Sequence, residues 1–91
     1  MDQRAFEEGL KSDGFEALKS SELKPGHSTT EHNHPFEVRA LVLEGEIALT
    51  FNGARHAYRA GEIFTMAAGC LHAENVGPAG VKYVYGCKNP T

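Results

Sequence analysis

A small all-β barrel or two-sheet jelly roll with one short N-terminal helix is the fold class this 91-residue chain predicts. Three observations carry that expectation. From Phe15 onward the apolar runs are about four to eight residues long and end in Gly, Pro or Asn turn signals, as strands do. No helical pattern interrupts them. Their short, regular spacing suits a closed barrel or a doubled sheet better than an open one.

Taken in order, the elements begin with Asp2, which can cap a helix over Gln3 to Lys11 that sets Ala5, Phe6 and Leu10 on one face and stops before Asp13-Gly14. Strands are expected near residues 16–23, 36–43, 63–66, 71–76 and 81–87. The clearest hairpin joins Ile47–Phe51 to Ala54–Arg59 through Asn52-Gly53, a dipeptide that accepts the positive φ angles of a two-residue type I′ turn. Other turns are expected at Lys24-Pro25-Gly26, Glu44-Gly45, Ala60-Gly61, Ala68-Gly69 and Gly77–Gly80. In Val38–Leu43 both alternating faces are mainly apolar, so that strand needs a second cover, from the helix or from another subunit. So small a core gains from pairing, and a homodimer is expected.

Ninety-one residues make one domain, a helical segment over 1–14 and a barrel over 15–91. Nine basic and twelve acidic residues are spread along the chain, which leaves no basic stripe for nucleic acid or anionic lipid. The acidic, polar start is unlike a signal peptide, and no apolar run is long enough to span a bilayer. Two cysteines, Cys70 and Cys87, are too few for a disulfide scaffold and suit a reducing compartment, so a cytoplasmic location is expected.

The chemistry is carried by histidine. His32 and His34 form an HxH pair, and His72 follows in a Gly-rich stretch. On a strand, residues two apart share a face and lie roughly 6.5 to 7 Å apart, close enough to converge on one ion. His72 must come from another strand, and a barrel interior lets separate strands face each other. Three neutral imidazoles would hold Zn, Fe, Ni, Co or Mn at roughly 2.0 to 2.2 Å and leave positions open to water or substrate. Equally, HxH also arises among half-exposed histidines that bind nothing. His27 and His56 read as surface residues, and Cys70 reads as a small packed hydrophobe beside His72.

The surroundings of the triad resemble the two motifs of the cupin superfamily. The first, G-x5-HxH-x3,4-E-x6-G, matches at Gly26, His32, His34 and Gly45; the second, G-x5-PxG-x2-H-x3-N, matches at Gly61, Gly69 and His72. The resemblance implies a cupin-type barrel, the double-stranded β-helix, with His32, His34 and His72 as ligands of one divalent ion, Fe, Zn, Ni or Mn. It implies no single reaction, since cupins include dioxygenases, isomerases, epimerases, decarboxylases, storage proteins and sugar-binding regulatory domains.

Ala67 stands at the second motif's proline and Asn75 lies one residue short of its asparagine, departures that affect loop shape more than coordination; the others concern the fourth ligand. The family's metal-binding glutamate falls on Val38 or Arg39, neither of which can replace it. Glu37 is the nearest carboxylate and would need a bulge to point inward; a solvated strand end is its other reading. Tyr83 and Tyr85 share a strand face, so they enter the pocket together, as packing or as groups that orient substrate. Three readings stay open: a metal-dependent oxygenase- or isomerase-like enzyme for a small molecule, a non-enzymatic ligand- or metal-binding module, and a metal-free barrel.

Overall fold

A computed structural model describes residues 2–89. The elements are α1 (Gln3–Ser12), β1 (Glu16–Leu23), β2 (Glu37–Phe51), β3 (Ala54–Arg59), β4 (Ile63–Met66) and β5 (Ala73–Lys88). All strand pairings are antiparallel. The Asp2 carboxylate caps α1 by accepting from the Ala5 amide at 3.3 Å. At the other end Gly14 takes φ +82°. There the Phe15 amide donates to the Leu10 carbonyl at 2.9 Å and the Gly14 amide to Lys11 at 3.1 Å, the paired bonds of a Schellman stop.

Two long strands organise everything else. The first half of β2, Val38–Leu41, lies between β4 and the end of β5; its second half lies between β3 and the start of β5. β1 joins the far edge of β5. At the β2–β3 hairpin Asn52 and Gly53 take φ +52° and +75°, the type I′ turn expected from that dipeptide.

Two expected turns are corrected. Glu44-Gly45 and Gly77–Gly80 do not end strands, because both lie inside β2 and β5, which run through them as bent strands. The β2–β5 register shifts on either side of Glu44-Gly45, so the extra residues are absorbed as bulges that bend the pair. Gly45 takes φ +78°, and a Cβ there would sit 1.9 Å from the Gly80 carbonyl oxygen. Gly80 takes φ +77°, and its Cβ would sit 2.9 Å from the Leu23 carbonyl. Backbone from β1, β2 and β5 meets at this corner, and side chains are excluded from it.

The strands bury both faces. Inside the barrel, Val38, Ala40, Val42, Ile47 and Leu49 of β2 pack with Phe64, Met66, Val76 and Val81. On the outer face Leu41 and Val84 pack with Phe6, Leu10 and Phe15, so α1 is the second cover that Val38–Leu43 required. Leu10→Ala is expected to cost roughly 2 to 5 kcal/mol, because the outer cluster loses its centre and cannot collapse onto a rigid sheet. The shift in urea midpoint, with an unchanged slope, measures it. No helix among the described residues is long and apolar enough to cross a membrane.

Candidate metal centre

The HxH pair does not lie within a regular strand. His32 and His34 stand on the irregular segment between β1 and β2, and a local antiparallel bridge sets their position. The His32 amide donates to the His72 carbonyl at 2.8 Å, and the His72 amide donates back at 2.9 Å. The His34 carbonyl accepts from the Gly69 amide at 2.7 Å. This exchange brings all three rings together: one nitrogen from each of His32, His34 and His72 lies within 4.8 Å of the others. The expected convergence is met, by a bridged loop in place of an extended strand.

Hydrogen bonds settle which nitrogens face inward. His32 Nδ1 lies 2.9 Å from the Thr30 carbonyl oxygen, and His72 Nδ1 lies 3.0 Å from that of Cys70. A carbonyl only accepts, so each Nδ1 carries a proton, and in the neutral ring each Nε2 keeps a lone pair. Such backbone anchoring of the outer nitrogen is how metal-binding histidines are oriented. His72 is 1 % exposed, and its Nε2 has no hydrogen-bond partner among the described residues. An orphaned, buried acceptor beside a second lone-pair nitrogen is a donor set that fits a divalent cation. His34 stacks on Phe36 with ring centroids 5.2 Å apart. Burial holds His34 below the ordinary histidine range, as do the neighbouring His32 and His72, while Glu74 opposes the shift.

Of the other expected site residues, Tyr83 and Tyr85 do share a face. With His34, Phe36 and Phe64 they line a cavity of about 280 Å³. Glu37 pairs in regular register at the start of β2, one residue before buried Val38, and therefore points to the opposite face. It is not in the three-histidine cluster. Arg39 pairs with Asp13 and stacks on the Phe15 ring 4.4 Å away, so it serves the helix-covered face. Cys70 touches the site through its carbonyl. His56 lies on Phe51, whereas His27 is exposed at the cavity wall.

One residue was missed. Glu74 Oε2 lies 3.3 Å from His32 Nε2 and 3.8 Å from His72 Nε2, with its side chain 15 % exposed; like Glu37 it is outside the group of three histidines, but unlike Glu37 it reaches two of them. Its signal was present, since it stands two residues after His72 and so shares that residue's strand face. A larger groove of about 480 Å³ lies at the Gly80 corner, lined by Glu22, Lys24, Glu44 and Lys82, and holds none of the histidines.

Tyr83 gives the cavity a measurable marker. Burial raises its phenol above the ordinary tyrosine range; a hydrogen bond with Ser21 opposes this, and Glu74 and Tyr85 add to it. A raised folded value means that the stability from the neutral phenol is present below the ordinary range and is lost as pH rises through the folded value. An alkaline tyrosinate absorbance titration is expected to show a late component that Tyr83→Phe removes.

Bent antiparallel strands closed over a histidine cluster define a cupin-type jelly roll. Comparison with protein families agrees: residues 20–85 match the Cupin domain model, and the chain belongs to that family. Among solved structures it is similar to a Rhizobium leguminosarum protein of unknown function (20% identity, 80% of this chain and 69% of that one, TM-score 0.75). It is also similar to the cupin domain of Schizosaccharomyces pombe Cnp3 (16% identity, 86% and 58% covered, TM-score 0.74) and to KdgF from Halomonas sp. (15%, 80% and 68%, 0.66). At these identities the likeness is one of fold. Comparison with curated proteins gives no match.

Proposed function

We propose that this cupin is a divalent-metal enzyme, oxygenase- or isomerase-like, in which His32, His34 and His72 hold one Fe, Zn, Ni or Mn ion and a small molecule enters the adjoining cavity. The observation that carries the metal reading is the pair of Nε2 lone pairs, on His32 and buried His72, aimed inward by backbone bonds to Nδ1. A bound ion would supply Lewis acidity or, if iron, dioxygen chemistry. The protein supplies the rest. Phe36, Phe64 and the tyrosine rings line the cavity and would hold an apolar body, with the phenols of Tyr83 and Tyr85 as candidate hydrogen-bond donors to it. No lysine or arginine is among the described residues lining this cavity, which favours ligands with little negative charge over phosphates or dicarboxylates. We carry into this proposal a homodimer, on the small core, and a cytoplasmic setting, on the unpaired state of Cys70 and Cys87.

Elemental analysis of protein purified without added metal or a metal-binding tag tests it. About one ion per chain is expected, and close to none in His72→Ala. Iron would direct assays to oxygen uptake with thiols and diketones; zinc, nickel or manganese would direct them to isomerisation. Metal retained without turnover on either class would favour a binding module. No metal in either protein would return the triad to a metal-free barrel.

A further inference from the structure

Building on that metal centre, we propose that Glu74 is its fourth protein ligand, a carboxylate supplied from β5 in place of the one missing at Val38 and Arg39. The motif position carries no carboxylate: Val38 is an apolar residue of the barrel core that lines the cavity, and Arg39 is committed to Asp13 on the other face. Glu74 reaches the same centre from the strand that follows His72. Its amide donates to Thr29 Oγ1 at 3.0 Å, which ties its backbone to the histidine-bearing segment.

The side-chain geometry argues for a cation between these groups. Glu74 Oε2 at 3.3 and 3.8 Å from two Nε2 atoms lies beyond the usual N–H···O range of about 2.7 to 3.2 Å. With both Nδ1 atoms turned to carbonyls, neutral rings present only acceptors toward the carboxylate, an arrangement that a cation between them stabilises. Ligands held at about 2.1 Å from one ion lie roughly 3.0 to 3.4 Å apart when adjacent, which is the separation seen between Oε2 and His32 Nε2. Glu74 is also mostly buried, and its ion-pairing partners among the described residues are these two imidazoles, with no lysine or arginine. A carboxylate withdrawn from water needs a positive partner. A divalent ion held by neutral imidazoles is that partner, and the carboxylate lowers the charge of the site from two to one.

Cobalt(II) titration of tag-free, chelator-treated full-length protein tests this, because the position and intensity of its visible bands report ligand number and type. Wild type is expected to bind Co(II). Glu74→Gln and Glu74→Ala are expected to bind ten- to a hundredfold more weakly with altered bands, and His72→Ala marks the loss of a histidine. Unchanged bands in both Glu74 variants, whatever the affinity, would overturn the assignment and leave Glu74 acting through the histidines. A second readout needs no variant: adding Co(II) to wild type should shift a carboxylate stretch in the infrared difference spectrum, and absence of any shift would overturn it. Wild type that binds no Co(II) would overturn the metal centre itself, whereas Co(II) binding that ignores Glu74 would overturn this inference alone.

Discussion

Gly45→Ala is expected to destabilise the chain by roughly 2 to 6 kcal/mol. Two costs combine. A non-glycine residue at φ +78° carries strain of about 1 to 3 kcal/mol, and an added methyl in a filled space costs about as much again. Here the obstacle is the Gly80 carbonyl, 1.9 Å from the new Cβ, and a backbone atom cannot swing aside as a flexible side chain could. Moving it would disturb Gly80, itself pressed against Leu23, so the strain spreads through three strands. A chain of this size holds roughly 5 to 14 kcal/mol in total, and the loss should appear as a fall in melting temperature of roughly 8 to 48 °C. Gly53→Ala is the control: φ +75° is similar, yet nothing lies within 4 Å of its Cβ. It should cost the strain alone, about 1 to 3 kcal/mol, and equal losses at the two glycines would show that backbone angle alone matters.

His72→Leu should separate the stability of the fold from that of the metal centre. In chelator, the change removes a buried nitrogen without a partner, a defect worth about 1 to 3 kcal/mol, and gives up one bond to the Cys70 carbonyl, worth about 1 kcal/mol. The net is a gain of about 0 to 2 kcal/mol, so the metal-free variant should be at least as stable as wild type. With metal the proteins part. At a free ion concentration about a thousandfold above its dissociation constant, wild type gains about 4 kcal/mol, a rise in melting temperature of ten degrees or more. The variant should gain almost nothing. Calorimetry of both proteins with and without metal measures this, and a wild type indifferent to metal would remove the metal centre from the account.

The parts of the fold that could be read in advance are those decided by neighbours in sequence. Asp2 and Gly14 bound the helix through their own capping bonds, and Asn52-Gly53 makes its turn from its own dihedral freedom. Gly45 and Gly80 carry the same local signal, but the structure uses their positive φ to bend strands. Whether such a glycine turns or bulges depends on whether a partner continues beside it, and β5, distant in sequence, decides that for β2. The histidine triad was legible as spacing, although the bridge that aligns His32 with His72 was not. Motif spacing points to Glu37, the carboxylate nearest the empty position, which faces away; the signal for Glu74 is instead that it shares a face with His72. Tyr83 and Tyr85 were readable as a pair, and the cavity confirms their common face.

The strand order sets a timetable for the chain's birth. β1 is made before β5, the strand it pairs with, and β2 also lacks one edge until β5 arrives. At about 5 to 20 residues per second, several seconds of synthesis separate the two. During that interval β2 has only β3 and β4 to pair with. The barrel therefore closes only once residues 73–88 are made, and its histidine pocket is completed with that strand, Glu74 emerging just after His72.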